Sequence, residues 1–69
     1  MRISARNLLH GTVRSVTMGA VMCEIGIDVG GHEIVAAITR GSAERLGLRE
    51  GADVTAIIKA TDVMIGVGD

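Results

Sequence analysis

The feature that most constrains this chain is the complete absence of Phe, Tyr and Trp from a sequence of only 69 residues. Apolar residues still make up 48% of it, so a core must consist of aliphatic side chains and Met. A chain this short gains only about 3–5 kcal/mol from one core and usually needs a further constraint. The single cysteine, Cys23, excludes an internal disulfide, and no Cys/His spacing matches a structural zinc site. We therefore expect one domain over residues 1–69 that is stabilised by assembly with copies of itself.

Charge and composition limit the partners. Seven Lys and Arg against eight Asp and Glu give a net charge of −1, which creates no field that attracts nucleic acid or an anionic membrane. The missing aromatic residues also remove the stacking surface that single-strand binders use. The apolar runs are much shorter than the ~20 residues of a membrane span, and the N-terminus lacks the apolar core of a signal peptide. We expect a cytoplasmic protein with neither a nucleic-acid nor a membrane partner.

The distribution of β-branched residues predicts a mainly β fold. In Val21–Val29 the apolar residues alternate with Glu24, Gly26 and Asp28, which is typical of a strand with one buried face. Gly30-Gly31 predicts a tight turn, since glycine tolerates the positive φ that such turns require. The next strand, His32–Thr39, is apolar on both faces, so we expect both to be partly buried, one of them against another subunit.

The rest of the chain predicts one short helix and further strands. Capping hydroxyls in Thr39–Ser42 begin the helix, and Gly47 ends it. Additional strands are expected at Ile3–Asn7, Gly11–Val16 and Asp53–Thr61, with a brief final segment at Val63–Val67. About five short strands and one helix are typical of a small OB-like barrel.

Catalysis has little support in the sequence. No Ser, Cys or Thr has an obvious base beside it, the carboxylates are scattered, and Gly30-Gly31 is not followed by a phosphate-loop motif. Hydrogen-bond donors instead recur: Ser4 and Arg6 at strand spacing, hydroxyls at the helix start, and the only lysine, Lys59. A donor-only set suits a fully deprotonated tetrahedral oxyanion, which accepts hydrogen bonds and donates none.

Four segments together resemble the molbindins, small molybdenum-pterin-binding (Mop) proteins, and the resemblance covers essentially the whole chain. The segments are Ile3-Ser4-Ala5-Arg6-Asn7, Gly11-Thr12-Val13, Ile38-Thr39 with Ser42 and Leu46-Gly47-Leu48, and Ile58-Lys59-Ala60-Thr61-Asp62-Val63-Met64-Ile65-Gly66. The resemblance implies an OB-like barrel, strand exchange between subunits, and a homohexamer arranged as a trimer of dimers. It also implies molybdate or tungstate binding at subunit interfaces, for intracellular storage and homeostasis. Neither a cofactor nor a directly coordinated metal is implied, since molybdenum is bound as its oxyanion.

The oxyanion site that the resemblance implies is carried over position by position, and it consists of Ser4, Arg6, Thr39, Ser42, Lys59, Ala60 and Thr61. His10 departs from the family pattern. An alternative from another functional class is a regulatory or interaction module that senses the oxyanion and acts on a partner protein. Molybdate and tungstate have the same charge and shape, so the sequence leaves the choice between them open.

Other distinctive residues have simpler interpretations. Cys23 is expected to be a small buried apolar residue, and His10 and His32 to be solvated residues in turns. Three methionines are expected to fill the core or an interface: Met18, Met22 and Met64.

Overall fold

A computed structural model describes residues 1–68 of the chain, which form one antiparallel sheet with two short helices. The elements are β1 (Asn7–Met18), β2 (Met22–Val29), β3 (His32–Thr39), α1 (Arg40–Leu46), β4 (Asp53–Ile58) and a 3₁₀ helix (Ala60–Asp62). The mainly β class with one short α-helix is therefore confirmed. No helix within the described part of the chain is long and apolar enough to cross a bilayer.

The long strand β1 organises the sheet, whose order is β3-β2-β1-β4. Its first half, Asn7–Thr12, pairs with β4, and its second half, Thr12–Met18, pairs with β2. Thr12 is the one position that is paired on both sides, and a bulge follows it between Val13 and Ser15. A strand that changes partners at a bulge bends there, as barrel-like sheets require. The predicted strand Gly11–Val16 is thus the centre of a much longer one.

The other strand predictions are wrong at the two ends of the chain. Ile3–Asn7 is not a strand, since only its last residue belongs to β1. The strand predicted at Asp53–Thr61 ends at Ile58, and the brief final segment Val63–Val67 is irregular. The reason is that the β1–β4 ladder ends at the pair Asn7–Ile58, beyond which neither chain segment has a strand to hydrogen-bond. Four strands are therefore present within residues 1–68, instead of about five.

The core is small and aliphatic. Its buried members are Val13, Cys23, Ile25, Ile27, Ala43 and Ala56. The prediction that Cys23 is a buried apolar residue is confirmed, since it is 3% exposed. The predicted apolar face of β2 is correct from Cys23 onward, but Val21 lies outside the strand and is exposed. The three methionines are not core residues: Met18 and Met22 are about half exposed and Met64 is almost fully exposed.

The hairpin between β2 and β3 is the turn that the sequence predicts. Gly30 and Gly31 both have positive φ, 57° and 88°. A carboxylate oxygen of Asp28 accepts a hydrogen bond from the Gly31 amide at 3.1 Å. The same oxygen forms an ion pair with Arg14 at 2.9 Å. On β3, one face is half-buried but the other is exposed, with Val35 at 58%. In a single chain the second face is therefore not buried, whereas the sequence predicts its burial against another subunit.

The helix is also as predicted. Thr39 is its N-cap, and Gly47 follows its last residue in the left-handed region with φ 65°. The glycine amide donates to carbonyls of the last turn, which satisfies acceptors that the helix leaves unpaired. Ala43 is 1% exposed and fixes α1 against the sheet, so the polar residues at the start of α1 have a defined place beside the end of β3.

Candidate functional site

Pairing of β1 with β4 places two cationic side chains at one end of the sheet. Arg6 immediately precedes β1, and Lys59 immediately follows β4. Asn7 and Ile58 form the last pair of this ladder, and the Asn7 side-chain amide donates to the Ile58 carbonyl at 3.0 Å. Arg6 and Lys59 thus both lie directly beyond the last cross-strand pair, at the same end of the ladder. The sequence separation conceals this proximity, since 51 positions separate Asn7 from Ile58.

Within the described residues, neither cation is neutralised by a carboxylate. Among residues 1–68 the ion pairs are Arg14–Asp28 at 2.9 Å and Arg40–Glu44 at 3.3 Å, and they include neither Arg6 nor Lys59. Both side chains are exposed. Two neighbouring positive charges without an acidic partner repel each other, and a bound anion would relieve that repulsion. The guanidinium and the ammonium also donate hydrogen bonds without accepting any.

Three further predicted residues lie at the same end. Ser4 is at a bend before β1, and Ala60 and Thr61 begin the 3₁₀ helix, whose Asp62 amide donates to the Lys59 carbonyl at 2.9 Å. The first amides of such a helix have no partner within it, so they are available as donors. The prediction that Ser4 and Arg6 have the spacing of one strand face is wrong, because residues 2–6 do not form a strand. The end of β4 at Ile58 likewise removes Lys59 and Thr61 from a common strand face.

Thr39 and Ser42 form a separate group. The Thr39 hydroxyl oxygen accepts from the Ser42 amide at 3.1 Å, and the same hydroxyl donates to Ser42 Oγ at 2.8 Å. The Ser42 amide is therefore not a free donor at this helix start, because the cap uses it. The Ser42 hydroxyl hydrogen remains available to donate, because its oxygen is the acceptor in this pair.

The two groups lie at opposite ends of β1. Thr39 pairs with Met22, at the end of β2 that adjoins Met18 on β1, whereas Arg6 adjoins Asn7 at the other end. Thr39 also belongs to one edge strand of the sheet, and Lys59 follows the other. A single chain consequently brings Ser4, Arg6, Lys59, Ala60 and Thr61 to one end without Thr39 and Ser42.

An apolar cleft separates the two edge strands. Its volume is about 440 Å³, and residues of β3 and β4 line it together with Ile25 and Ile27 of β2 and with Leu46 and Leu48. Every lining residue except Thr55 is apolar. The segment after the 3₁₀ helix is also apolar, and its side chains are exposed. The exposed fractions of Val63, Met64, Ile65 and Val67 are 48%, 92%, 85% and 98%.

Other predicted features have been placed by the structure. His32 is exposed and begins β3 beside the turn, but His10 is exposed in the middle of the β1–β4 ladder, so its predicted turn is wrong. No group of three His, Cys, Asp or Glu residues in the described chain could hold a metal ion.

Asn7, a residue of the first motif, joins the two cationic segments through its side-chain hydrogen bond. In the sequence, the signal for this role is a polar residue at the start of a strand.

Comparison with known proteins identifies the family of this chain. The family model of the TOBE domain matches residues 3–65. The chain is 47% identical to molybdenum-pterin-binding protein 1 of Clostridium pasteurianum over 66 residues, covering 94% of this chain and 97% of that protein. The solved molybdate-binding protein of Sporomusa ovata is 45% identical with a TM-score of 0.93, covering 97% of this chain and 100% of that one.

A third relative shows that the same unit also occurs in a longer chain. The cytoplasmic molybdate-binding protein ModG, solved with molybdate bound, is 43% identical with a TM-score of 0.94. The match covers 99% of this chain and 49% of that one. These relatives are binding proteins, not enzymes. The resemblance drawn from the sequence motifs is confirmed: this chain belongs to the TOBE domain family, as a member of its OB-like molybdenum-pterin-binding (Mop) group.

Proposed function

We propose that this protein binds molybdate, or the equivalent tungstate, as the intact tetrahedral dianion. The observation that carries the proposal is the pair of exposed cations, Arg6 and Lys59, which lie directly beyond the last cross-strand pair of the β1–β4 ladder and have no carboxylate partner within residues 1–68. Two relatives that match over nearly their whole length support the choice of ligand: the molybdate-binding protein of Sporomusa ovata and molybdenum-pterin-binding protein 1 of Clostridium pasteurianum. The function is binding, without catalysis.

The donor set explains why such an anion would be preferred. A guanidinium offers a planar pair of N–H donors, and an ammonium offers a compact point charge with three. Hydroxyls of Ser4 and Thr61 and the amide of Ala60 add donors at the same end of the sheet. A fully deprotonated tetrahedral dianion has an acceptor on every oxygen and can use all of them. Sulfate has the same charge but is smaller, so fit would discriminate against it.

We further propose that two chains build each site. Thr39 and Ser42 lie at the far end of the sheet from Arg6, so in this chain they are separate from the cationic group. They would reach an anion held by Arg6 and Lys59 if they came from a neighbouring chain. This arrangement would make occupancy depend on assembly, and anion binding would in turn stabilise the assembly.

The assembly that fits these surfaces is a strand-exchanged homohexamer, a trimer of dimers. The apolar cleft between β3 and β4 has unpaired strand edges on both sides, which can accept an added strand. The exposed segment Val63–Val67 has the apolar composition to occupy that cleft in a neighbouring chain. Such an exchange would also cover the exposed hydrophobic surface that a small aromatic-free core leaves. The proposed biological role is storage and homeostasis of the oxyanion in the cytoplasm, where ModG is described.

Calorimetric titration with molybdate tests the ligand and its residues. We expect Arg6→Gln and Lys59→Gln each to weaken binding by about tenfold or more, since a hydrogen bond to a charged group contributes about 1.5–3 kcal/mol. Arg49→Gln is the matched control, because it removes the same charge from an exposed turn residue. A wild-type protein without molybdate binding, or equal affinities for all three variants, would refute the proposed site.

Native mass spectrometry tests the assembly. We expect a hexamer that gains discrete mass increments of molybdate. Ile65→Asp places a charge in the segment proposed to be exchanged and should dissociate the hexamer, whereas Val21→Asp, at a comparably exposed apolar residue, should not. A monomer for the wild type would refute strand exchange.

A further inference from the structure

We infer that Asn7 is a positioning residue for the anion site, a role that rests on the proposed function. Its side-chain amide donates to the Ile58 carbonyl at 3.0 Å across the last pair of the β1–β4 ladder. Within residues 1–68 it is the side-chain hydrogen bond that joins these two strands. Asn7 itself is only half-buried and carries no charge. It acts through the backbone segments that it joins, without adding to the charge of the site.

The two segments need such a link because both lie beyond the ladder. Arg6 and Lys59 are in irregular backbone, where no further strand pairing fixes their separation. Their like charges repel each other when no anion is present. The Asn7 side-chain hydrogen bond opposes this repulsion, because it holds together the two residues that adjoin Arg6 and Lys59. A site whose donors are held in place before binding loses less conformational entropy when the anion arrives, so its affinity is higher.

Asn7→Leu tests this role, because it keeps the size of the side chain and removes the donor. We expect its molybdate affinity to fall about three- to tenfold, the range that corresponds to one hydrogen bond. Asn7→Gln keeps a donor on a longer side chain and should recover part of the loss. Asp28→Ala is the control: it removes side-chain bonds to Gly31 and Arg14 and so also lowers stability, but at the β2–β3 turn.

A second measurement separates positioning from general destabilisation. Backbone ¹⁵N order parameters of Lys59 and Ala60 in the anion-free protein should decrease in Asn7→Leu and stay unchanged in Asp28→Ala. All affinities are to be measured well below the unfolding midpoint of every variant. Asn7→Ala provides a smaller substitution should the leucine variant not fold.

The outcomes are distinguishable. Weaker molybdate binding in Asn7→Leu with wild-type affinity in Asp28→Ala supports the positioning role. A wild type that binds molybdate together with an Asn7→Leu variant of equal affinity overturns that role and leaves the proposed function intact. A wild type that does not bind molybdate overturns both.

Discussion

Replacing Gly11 by alanine tests how closely the two main strands approach each other. Gly11 is buried, one position before the residue at which β1 changes partner from β4 to β2. A Cβ atom there would lie 2.5 Å from the carbonyl oxygen of Asp28, and 2.8 Å and 2.9 Å from the Cγ2 atoms of Ile27 and Val29. The oxygen belongs to the β2 backbone, so no rotamer change can relieve that contact. β1 and β2 must move apart to accommodate the methyl group.

The expected cost follows from two opposing terms. Overpacking a core position costs about 1–3 kcal/mol, and a clash with backbone belongs at the upper end of that range. Alanine also restricts the unfolded chain, which returns about 0.4–1 kcal/mol. The net loss in the free energy of unfolding is therefore about 2 kcal/mol. For a domain of this size that corresponds to a decrease of about 8–16 °C in Tm.

Gly41→Ala is the matched control for this prediction. Gly41 lies in α1 at ordinary helical φ, and nothing would lie within 4 Å of its Cβ. Alanine should stabilise the helix there by about 0.5–1 kcal/mol, so the same substitution is expected to have opposite signs at the two positions. Urea unfolding at one fixed protein concentration measures both, because the proposed assembly would make stability depend on concentration. A Gly11→Ala protein with the wild-type midpoint would refute the close approach of β1 and β2.

Three further predictions concern the cap, the thiol and the cations. Thr39→Val should lower the free energy of unfolding by about 1 kcal/mol by removing the cap of the Ser42 amide, and Thr39→Ser should restore it in chemical denaturation; equal stability of both variants would show that the cap contributes nothing. Cys23 should react with a thiol reagent only in denaturing urea, since it is 3% exposed; native reaction at the unfolded rate would contradict that burial. Molybdate affinity should fall as salt rises from about 0.05 to about 0.5 M, because salt screens Arg6 and Lys59, and a salt-independent affinity would remove those charges from the site.

Local patterns in the sequence predict the centre of the fold well. The apolar face of β2 from Cys23 onward, the Gly30-Gly31 turn and the limits of α1 between Thr39 and Gly47 all depend on short-range geometry, and the structure agrees with each. Glycine at positive φ and a hydroxyl at an N-cap satisfy backbone requirements within a few residues. Such signals need no knowledge of the rest of the chain.

The ends of the chain could not be predicted in this way. Ile3–Asn7 and Val63–Val67 have the β-branched, apolar composition of strands, but a strand also needs a neighbour to hydrogen-bond, and in this chain β1 and β4 end at Asn7 and Ile58. Composition alone does not identify the strand with which a segment would pair. The same applies to the face of β3 that contains Val35, which is exposed although its residues are apolar.

The residues proposed for the site come from the motif resemblance, whereas their relative placement comes from the structure. Motif resemblance identified Arg6 and Lys59, and the β1–β4 pairing places them together. No local pattern indicated that Thr39 and Ser42 would lie at the other end of β1, since that separation depends on the register of three strands. The register of a sheet is a tertiary property, set by which faces are buried.

The division of β1 between two partners has a consequence for the order of folding. The β2–β3 hairpin closes through two residues, Gly30 and Gly31, whereas the Asn7–Ile58 pair joins positions 51 apart. Closing the larger loop costs more chain entropy, so we expect the hairpin to form early and the Asn7–Ile58 end to form last. Asp28→Ala should then slow folding, and Asn7→Leu should mainly accelerate unfolding; the reverse pattern in stopped-flow kinetics would contradict this order. An anion bound at the last-formed end would slow unfolding while leaving the folding rate unchanged, so the ligand would prolong the lifetime of the native state.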